Sequence, residues 1–206
     1  MSGVQAGSSS EYGYCDHAPA EDEPPAPTTA YAVGKLAATL YGQSVARAAD
    51  RHVCTLRLYS VYGPWEEPDR LIPTLVAHAT RGALPPLVDP GTARDFVHVD
   101  DVCEAFVRAA ERTGLPRGTV LNVGSGRQTT IAEVVAVARD AFGVAAAPRW
   151  GTMPARVWDT AVWVSDPSAA RRALGWTAER ALADGLRDVA EWLGGLPPEL
   201  ARRYAR

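Results

Sequence analysis

The sequence predicts an α/β fold with a mostly parallel sheet. Short β-branched and apolar runs alternate with longer runs of helical period along the 206 residues, the order that builds parallel sheets from β-α units. The helical runs carry start and stop residues of their own, and no internal repeat interrupts the alternation.

The elements follow in order. "VQAGSSSEYG" runs from a short apolar stretch into Ser and Gly, which reads as a buried strand ending in a loop. "YCDHAPAEDEPPAPTT" (14–29) is acidic and proline-rich, hence an irregular surface loop. Thr28 or Thr29 caps a helix to about Ala49, with Val33, Leu36, Ala37, Leu40 and Val45 as its apolar stripe. "HVCTLRLYSVYG" (52–63) is a β-rich run closed by Gly-Pro, and 70–82 is a helix entered through "LIPT". "LPPLVDPGTA" is loop, and "RDFVHV" (94–99) is a strand, after which Asp100 or Asp101 caps a helix to about Arg112. "TVLNVG" (119–124) is a strand, and "SGRQTTIAEVVAVARDAFG" gives a loop, a Thr cap and a helix stopped at Gly143. "APRW" and "AVWVSD" read as short strands, and "PSAARRALGW" and "RALADGLRDVAEWLGG" as two terminal helices.

Composition narrows the function. A net charge of −3 and scattered arginines give no basic face for a phosphate backbone. The sequence has no run of 18 apolar residues and no signal-peptide pattern, so no membrane partner is expected. Three cysteines, widely spaced and without a C-x-x-C pair, fit free thiols in a reducing, cytoplasmic setting and no metal site. Cys54 and Cys103 are expected in the core. Trp163, Trp176 and Trp192 are expected as packing anchors, and His98 as a satisfied strand histidine.

The chemistry concentrates at "YAVGK". Lys35 is the only lysine among 21 Lys plus Arg, and it stands four residues after Tyr31. At that spacing both share one helix face. A free phenol titrates near ~10, so a tyrosine that moves protons near neutrality needs a charge that stabilises its phenolate. A compact ammonium on a flexible stem does this where a planar guanidinium would not fit. The serines of "SSSEYG", at the end of the preceding strand, supply a hydroxyl to hold a reacting carbonyl or alcohol. "GSGRQTT" is the nearest approach to a glycine-rich phosphate turn, and it lacks the third glycine and the later acid.

"GSSSEYG", "YAVGK", "RLYSVYGP", "RLIPT", "RDFVHVDD", "NVGSG" and "LGW" occur over residues 6–176 in an order that resembles the NAD-dependent epimerase/dehydratase family, the extended short-chain dehydrogenase/reductases that act on nucleotide-sugars. The resemblance implies the C-terminal part of a Rossmann-type doubly wound parallel sheet plus a small α/β substrate-binding region. Residues 1–65 would be the remaining part of the cofactor domain, and 66–206 a substrate-binding region interleaved with the last Rossmann strands and terminal helices.

The resemblance also implies roles. Tyr31 would be the acid/base, and Lys35 its electrostatic partner and a ligand of the nicotinamide ribose. The catalytic hydroxyl would be Ser8, or Ser9 if the loop is one residue shorter. Tyr59 and Val61 would lie near the cofactor, NAD or NADP, and Ser60 near the sugar. Arg94 would meet the diphosphate, Leu71 the base, and Arg156 and Asp159 the nucleotide. The partners implied are a nucleotide-diphosphate-sugar and a second copy in a homodimer.

The departures matter equally. Ser60 stands where many relatives carry Asn. Ser9-Ser10 occupies the place where 4,6-dehydratases carry an acid, with Glu11 displaced, so an epimerase or 4-ketoreductase is favoured over a dehydratase. Three β-α units with a glycine-rich loop precede these motifs in the family. On that resemblance, on the order of 100 residues are expected before residue 1 or in a separate chain. A half-sheet would leave an open strand edge. A chain that binds a nucleotide-sugar or a partner without catalysis is the alternative.

Overall fold

The first strand, β1 (Ser2–Ser8), is parallel to β2 (His52–Leu58), which is parallel to β6 (Thr119–Val123), giving a sheet in the order β1-β2-β6. The computed structural model describes residues 2–49, 51–153 and 160–204. Between β1 and β2 come a 3-10 turn (Ser9–Tyr12), the irregular segment 13–29 and helix α1 (Ala30–Ala48), capped by the Thr29 side chain on the Ala32 N–H.

The remaining elements are β3 (Ser60–Tyr62), α2 (Leu71–Ala79), β4 (Ala93–Arg94), β5 (Phe96–His98) and α3 (Val99–Glu111). After β6 come β7 (Thr129–Thr130), α4 (Ile131–Phe142), α5 (Ser168–Leu174), α6 (Leu182–Gly194) and α7 (Pro198–Tyr204). β3 pairs with β5, and β4 is antiparallel to β7.

Two compact units share the chain in alternation: Met1–Val61, Asp95–Gln128 and Val162–Glu179 form the first, and Tyr62–Arg94, Thr129–Ala161 and Arg180–Arg206 the second. In the first, Thr55 and Arg57 of β2 are buried on the side of α1, while Cys54 and Leu56 are buried in a core with Val102, Leu121, Ala170 and Trp176 on the side of α3 and α5. A parallel sheet covered by helices on both faces is the doubly wound arrangement. In the second, α2, α4 and α6 pack on one another, with α7 on α2 and α6. Trp192 of α6 meets Trp65 and Tyr204 at ring-centroid distances of 5.4 and 5.1 Å. Among the described residues, no helix is long and apolar enough to cross a membrane.

The structure corrects the sequence reading in several places. The buried face of α1 is Ala32, Thr39, Gly42 and Ala46, while Val33 and Leu40 are exposed. Small residues let the helix lie close to the sheet: a Cβ at Gly42 would stand 2.7 Å from the Gln5 amide nitrogen. The run 52–63 breaks at Tyr59 and the run 94–99 at Asp95. The cap of α3 is His98, whose ring accepts from the Asp100 N–H, and neither Asp100 nor Asp101 takes that place. Cys54 is buried but Cys103 is exposed, because it lies on the outer side of α3. No strand forms in "APRW" or "AVWVSD", and α7 is an additional helix.

Candidate functional site

The C-terminal ends of β1, β2 and β6 meet at one edge of the sheet, where doubly wound folds bind ligands. β1 delivers Ser8 and Ser9. Ser8 is the cap of the 3-10 turn. Its hydroxyl accepts from the Ser10 N–H at 3.2 Å and lies 2.8 Å from the Ser10 hydroxyl. Ser9 is buried, lines a small cavity of about 10 Å³, and makes no hydrogen bond with its hydroxyl among the described residues. The structure therefore separates the two serines: the first closes the turn and the second faces free space.

A buried ion pair fixes the turn. The Glu11 carboxylate is fully buried and accepts from Arg57 Nε (2.9 Å), from the Ser8 N–H (2.9 Å) and from the Thr39 hydroxyl (3.1 and 3.0 Å to its two oxygens). The Arg57 guanidinium also lies over the Tyr12 ring, 4.4 Å from its centroid. The Tyr12 hydroxyl donates to Asn122 Oδ1 at 2.8 Å. Asn122 Nδ2 donates to the Pro19 carbonyl, and the Asn122 N–H donates to the Glu21 carboxylate. The acidic segment 14–29 is thus tied to β6 at Pro19 and Glu21, more firmly than a surface loop requires. Gly13 makes this path possible. Its φ is +75°, and a Cβ there would stand 2.1 Å from the Ala26 carbonyl oxygen.

Tyr31 and Lys35 sit in the first turns of α1. Lys35 Nζ donates to the Ala6 carbonyl of β1 at 3.1 Å and lies 5.8 Å from the centroid of the Tyr31 ring. Tyr31 is 61% exposed. Tyr12 and Tyr59, which line the strand-end cavity, are buried. Burial pushes the Tyr12 phenol up to about 12 despite the opposing Arg57, and burial raises Tyr59 further still. Of Tyr12, Tyr31 and Tyr59, Tyr31 is the phenol open to a reactant.

Beyond β2 the Tyr59 N–H donates to the Val123 carbonyl, Ser60 N–H to the Asp95 carbonyl, and Val61 N–H to the Tyr59 carbonyl. Asp95 is a hub. Its buried carboxylate accepts from the Ser125 N–H (2.7 Å) and hydroxyl (2.6 Å), the Gly126 N–H (3.1 Å), and the Ser165 N–H (2.9 Å) and hydroxyl. It so fixes the loop after β6 and Ser165, the residue that follows Val162–Val164, which line the same cavity as Ser9 and Tyr59. Cys15 also lines it, and burial, with the Glu23 and Asp16 carboxylates, holds its thiol above the ordinary value. Among the described residues, no group of His, Cys, Asp and Glu is placed to hold a metal ion.

Ser8, Ser9, Tyr31, Lys35, Tyr59, Ser60 and Val61 all belong to the first unit. Leu71, the first residue of α2, and Arg94, whose Nη1 donates to the Ala93 carbonyl at 2.7 Å, belong to the second. Arg156 and Asp159 lie outside the described residues. Sequence reasoning did not find Glu11–Arg57, Asn122 or the Asp95 hub. A carboxylate inside an otherwise apolar alternation, as in "RDFV", was the available signal.

Comparison with known proteins gives the family. Residues 2–124, more than half of the chain, match the model of the NAD dependent epimerase/dehydratase family. A UDP-glucose 4-epimerase of Mycolicibacterium smegmatis is 31% identical over 176 residues, covering 84% of this chain and 55% of that protein. A dTDP-glucose 4,6-dehydratase of Streptomyces antibioticus is 28% identical over 186 residues, covering 88% of this chain and 54% of that protein. The solved structure of MoeE5 in complex with UDP-glucose and NAD superposes with a TM-score of 0.81 at 35% identity, over 92% of this chain and 63% of that one. The chain thus spans somewhat over half the length of the relatives it matches. With its doubly wound sheet, its strand-end serines and its Tyr-x-x-x-Lys helix, it belongs to the NAD-dependent epimerase/dehydratase family.

Proposed function

We propose that the chain carries the catalytic set and part of the substrate site of an NAD(P)-dependent nucleotide-sugar epimerase or 4-ketoreductase. The observation that supports it most is the Tyr31–Lys35 pair, anchored through Ala6 to the strand that delivers Ser9. Tyr31 exchanges a proton with a sugar hydroxyl, and Lys35, an ammonium on the same helix face, stabilises its phenolate. Ser8 or Ser9 holds the reacting oxygen. Ser8 stays a candidate beside Ser9, since a hydroxyl that accepts from the Ser10 N–H still carries a proton to donate. When bound, the nicotinamide cofactor supplies the carbon that accepts and returns hydride. The residues fit such a group: Lys35 reaches the strand end, and the exposed Tyr31 phenol stands beside it. Val61 and Tyr59 line the cofactor side and Ser60 the sugar. Leu71, Arg94, Arg156 and Asp159 take the nucleotide and its diphosphate, where a guanidinium fork suits the anion.

Glu11 favours epimerase or reductase over dehydratase. Loss of a hydroxyl needs an acid to protonate it, and the Glu11 carboxylate is locked by Arg57, Thr39 and Ser8. The exposed apolar residues of α1, with Tyr41 beside Val33 and Leu40, support a homodimer through this helix. The test is turnover by the chain supplied with a cofactor half that carries a glycine-rich loop, with a panel of UDP-, dTDP- and GDP-sugars in the presence of NAD or NADP, read by chromatography. A 4-epimer or a reduced sugar is the expected product. A 4-keto-6-deoxy product, or binding without any conversion, would overturn the reading.

A further inference from the structure

Helices α2, α6 and α7 of the second unit line a groove of about 490 Å³. The end of α2 and the turn after it give Ala77 and Arg81. α6 gives Ala190 and Gly194, and α7 gives Pro198 and Arg202, each a pair four apart and hence on one helix face. Alanine and glycine leave open a space that larger side chains would fill: a Cβ at Gly194 would meet nothing within 4 Å. The volume falls within the range of about 300–1,000 Å³ usual for small-molecule sites. A stable protein interface takes about 20–30 residues a side, and ten line this groove.

The polar groups of the groove define what it takes. Its neutral donors are already used: the Thr80 hydroxyl donates to the Ala77 carbonyl at 3.2 Å, and the Tyr204 hydroxyl to the Glu66 carbonyl at 2.9 Å. Carbonyls in the last turns of α2 and α6 accept from the N–H groups of Thr80, Arg81, Gly82 and Gly195. What remains is two guanidiniums. The Arg81 and Arg202 side chains have no ion pair or hydrogen bond among the described residues. Arg70, Arg187 and Arg203, on or next to the same helices, meet Glu66, Asp184 and Glu67. No carboxylate is among the described residues that line the groove.

We propose that this groove binds a small amphipathic anion, a monocarboxylate whose apolar body lies against the small residues of the three helices and whose carboxylate meets Arg81 or Arg202. A guanidinium fork matches a carboxylate. A sugar or a nucleotide would bring hydroxyls that find no free neutral donor here, at a cost for each one desolvated. The inference goes beyond the function proposed above and does not depend on it.

The test is calorimetric titration of the purified chain with octanoate, octanol and octyltrimethylammonium, which share an alkyl chain and differ in charge. Octanoate is expected to bind about 10- to 100-fold more tightly than the other two, the worth of a hydrogen bond to a charged group. Arg81 and Arg202 are exposed, so the double variant Arg81→Gln/Arg202→Gln keeps the fold, and it is expected to bind octanoate no better than octanol. Gly194→Leu fills the groove and replaces a poor helix former. It is expected to keep or raise the melting temperature and to weaken octanoate binding by about 10-fold or more. No heat with octanoate at millimolar concentration, equal affinity for the cation, or unchanged affinity in the arginine variant overturns the inference. So does a dimer, seen by sedimentation equilibrium, that Gly194→Leu dissociates, since a second copy is then the occupant.

Discussion

Replacing Arg57 by Met tests how the catalytic end of β1 is held. In the folded protein the Glu11 carboxylate is fully buried and, among the described residues, has one cationic partner, Arg57 Nε at 2.9 Å. The substitution keeps the volume of the side chain's stem and removes the charge. Glu11 is then a buried carboxylate with only Thr39 and the Ser8 N–H as donors. Breaking a buried pair in this way costs about 3–5 kcal/mol, most of it from the charge left behind. The Arg57–Tyr12 contact at 4.4 Å adds about 0.5–2 kcal/mol to the loss. The assay is urea unfolding followed by circular dichroism, for Arg57→Met and for the double variant Glu11→Gln/Arg57→Met. Gln accepts from Ser8 and Thr39 without a charge, so the double variant is expected to recover more than half of the loss, a coupling of ~2 kcal/mol or more. A cost below about 1 kcal/mol for Arg57→Met, or strictly additive variants, would refute the reasoning.

Two further predictions concern groups outside the Tyr-Lys pair. Glu66, whose side chain is 15% exposed, is raised by burial from its ordinary value of 4.5 to about 7 against the opposing Arg70. A raised carboxyl binds its proton more tightly folded than unfolded. Stability therefore falls as pH rises from about 4.5 through about 7, by up to ~3 kcal/mol. Glu66→Gln should flatten that part of a melting-temperature profile, and an unchanged profile would contradict the assignment. Asp95→Asn should leave at least one of the Ser125, Gly126 and Ser165 N–H groups unpaired, at ~1–3 kcal/mol each. Its urea midpoint should fall, and an unchanged midpoint would remove Asp95 as the hub.

The parts of this protein that were legible in its sequence are those that local chemistry determines. "TTIAEVVAVARDAFG" states its own helix: Thr130 and Glu133 form a reciprocal capping box, and Gly143 ends it in the left-handed conformation. Tyr31 and Lys35 were found for the same reason, since a spacing of four on a capped helix puts them on one face. What distant partners decide was not visible. The strand break at Asp95 is made by donors 30 and 70 residues away, and Glu11 finds Arg57 46 residues on. The outward side of α1 was misread because its exposed positions are the more apolar ones. Helical periodicity marks an apolar face, and here the side against the sheet is built from Ala, Gly and Thr. Spacing pointed to Ser8 first and to Ser9 for a shorter loop, and it could not show that the Ser8 oxygen also closes the turn.

The measurement that bears most directly on the account is the fate of a UDP-hexose incubated with NAD and the chain supplied with a cofactor half that carries a glycine-rich loop, as wild type, Tyr31→Phe or Lys35→Arg, followed by proton NMR. The account predicts conversion at C4 by the wild type and a loss on the order of 10²–10⁴-fold in Tyr31→Phe, the contribution of a positioned acid/base. It predicts a large loss in Lys35→Arg, although the charge is kept. Conversion at the wild-type rate by Tyr31→Phe would contradict the central claim.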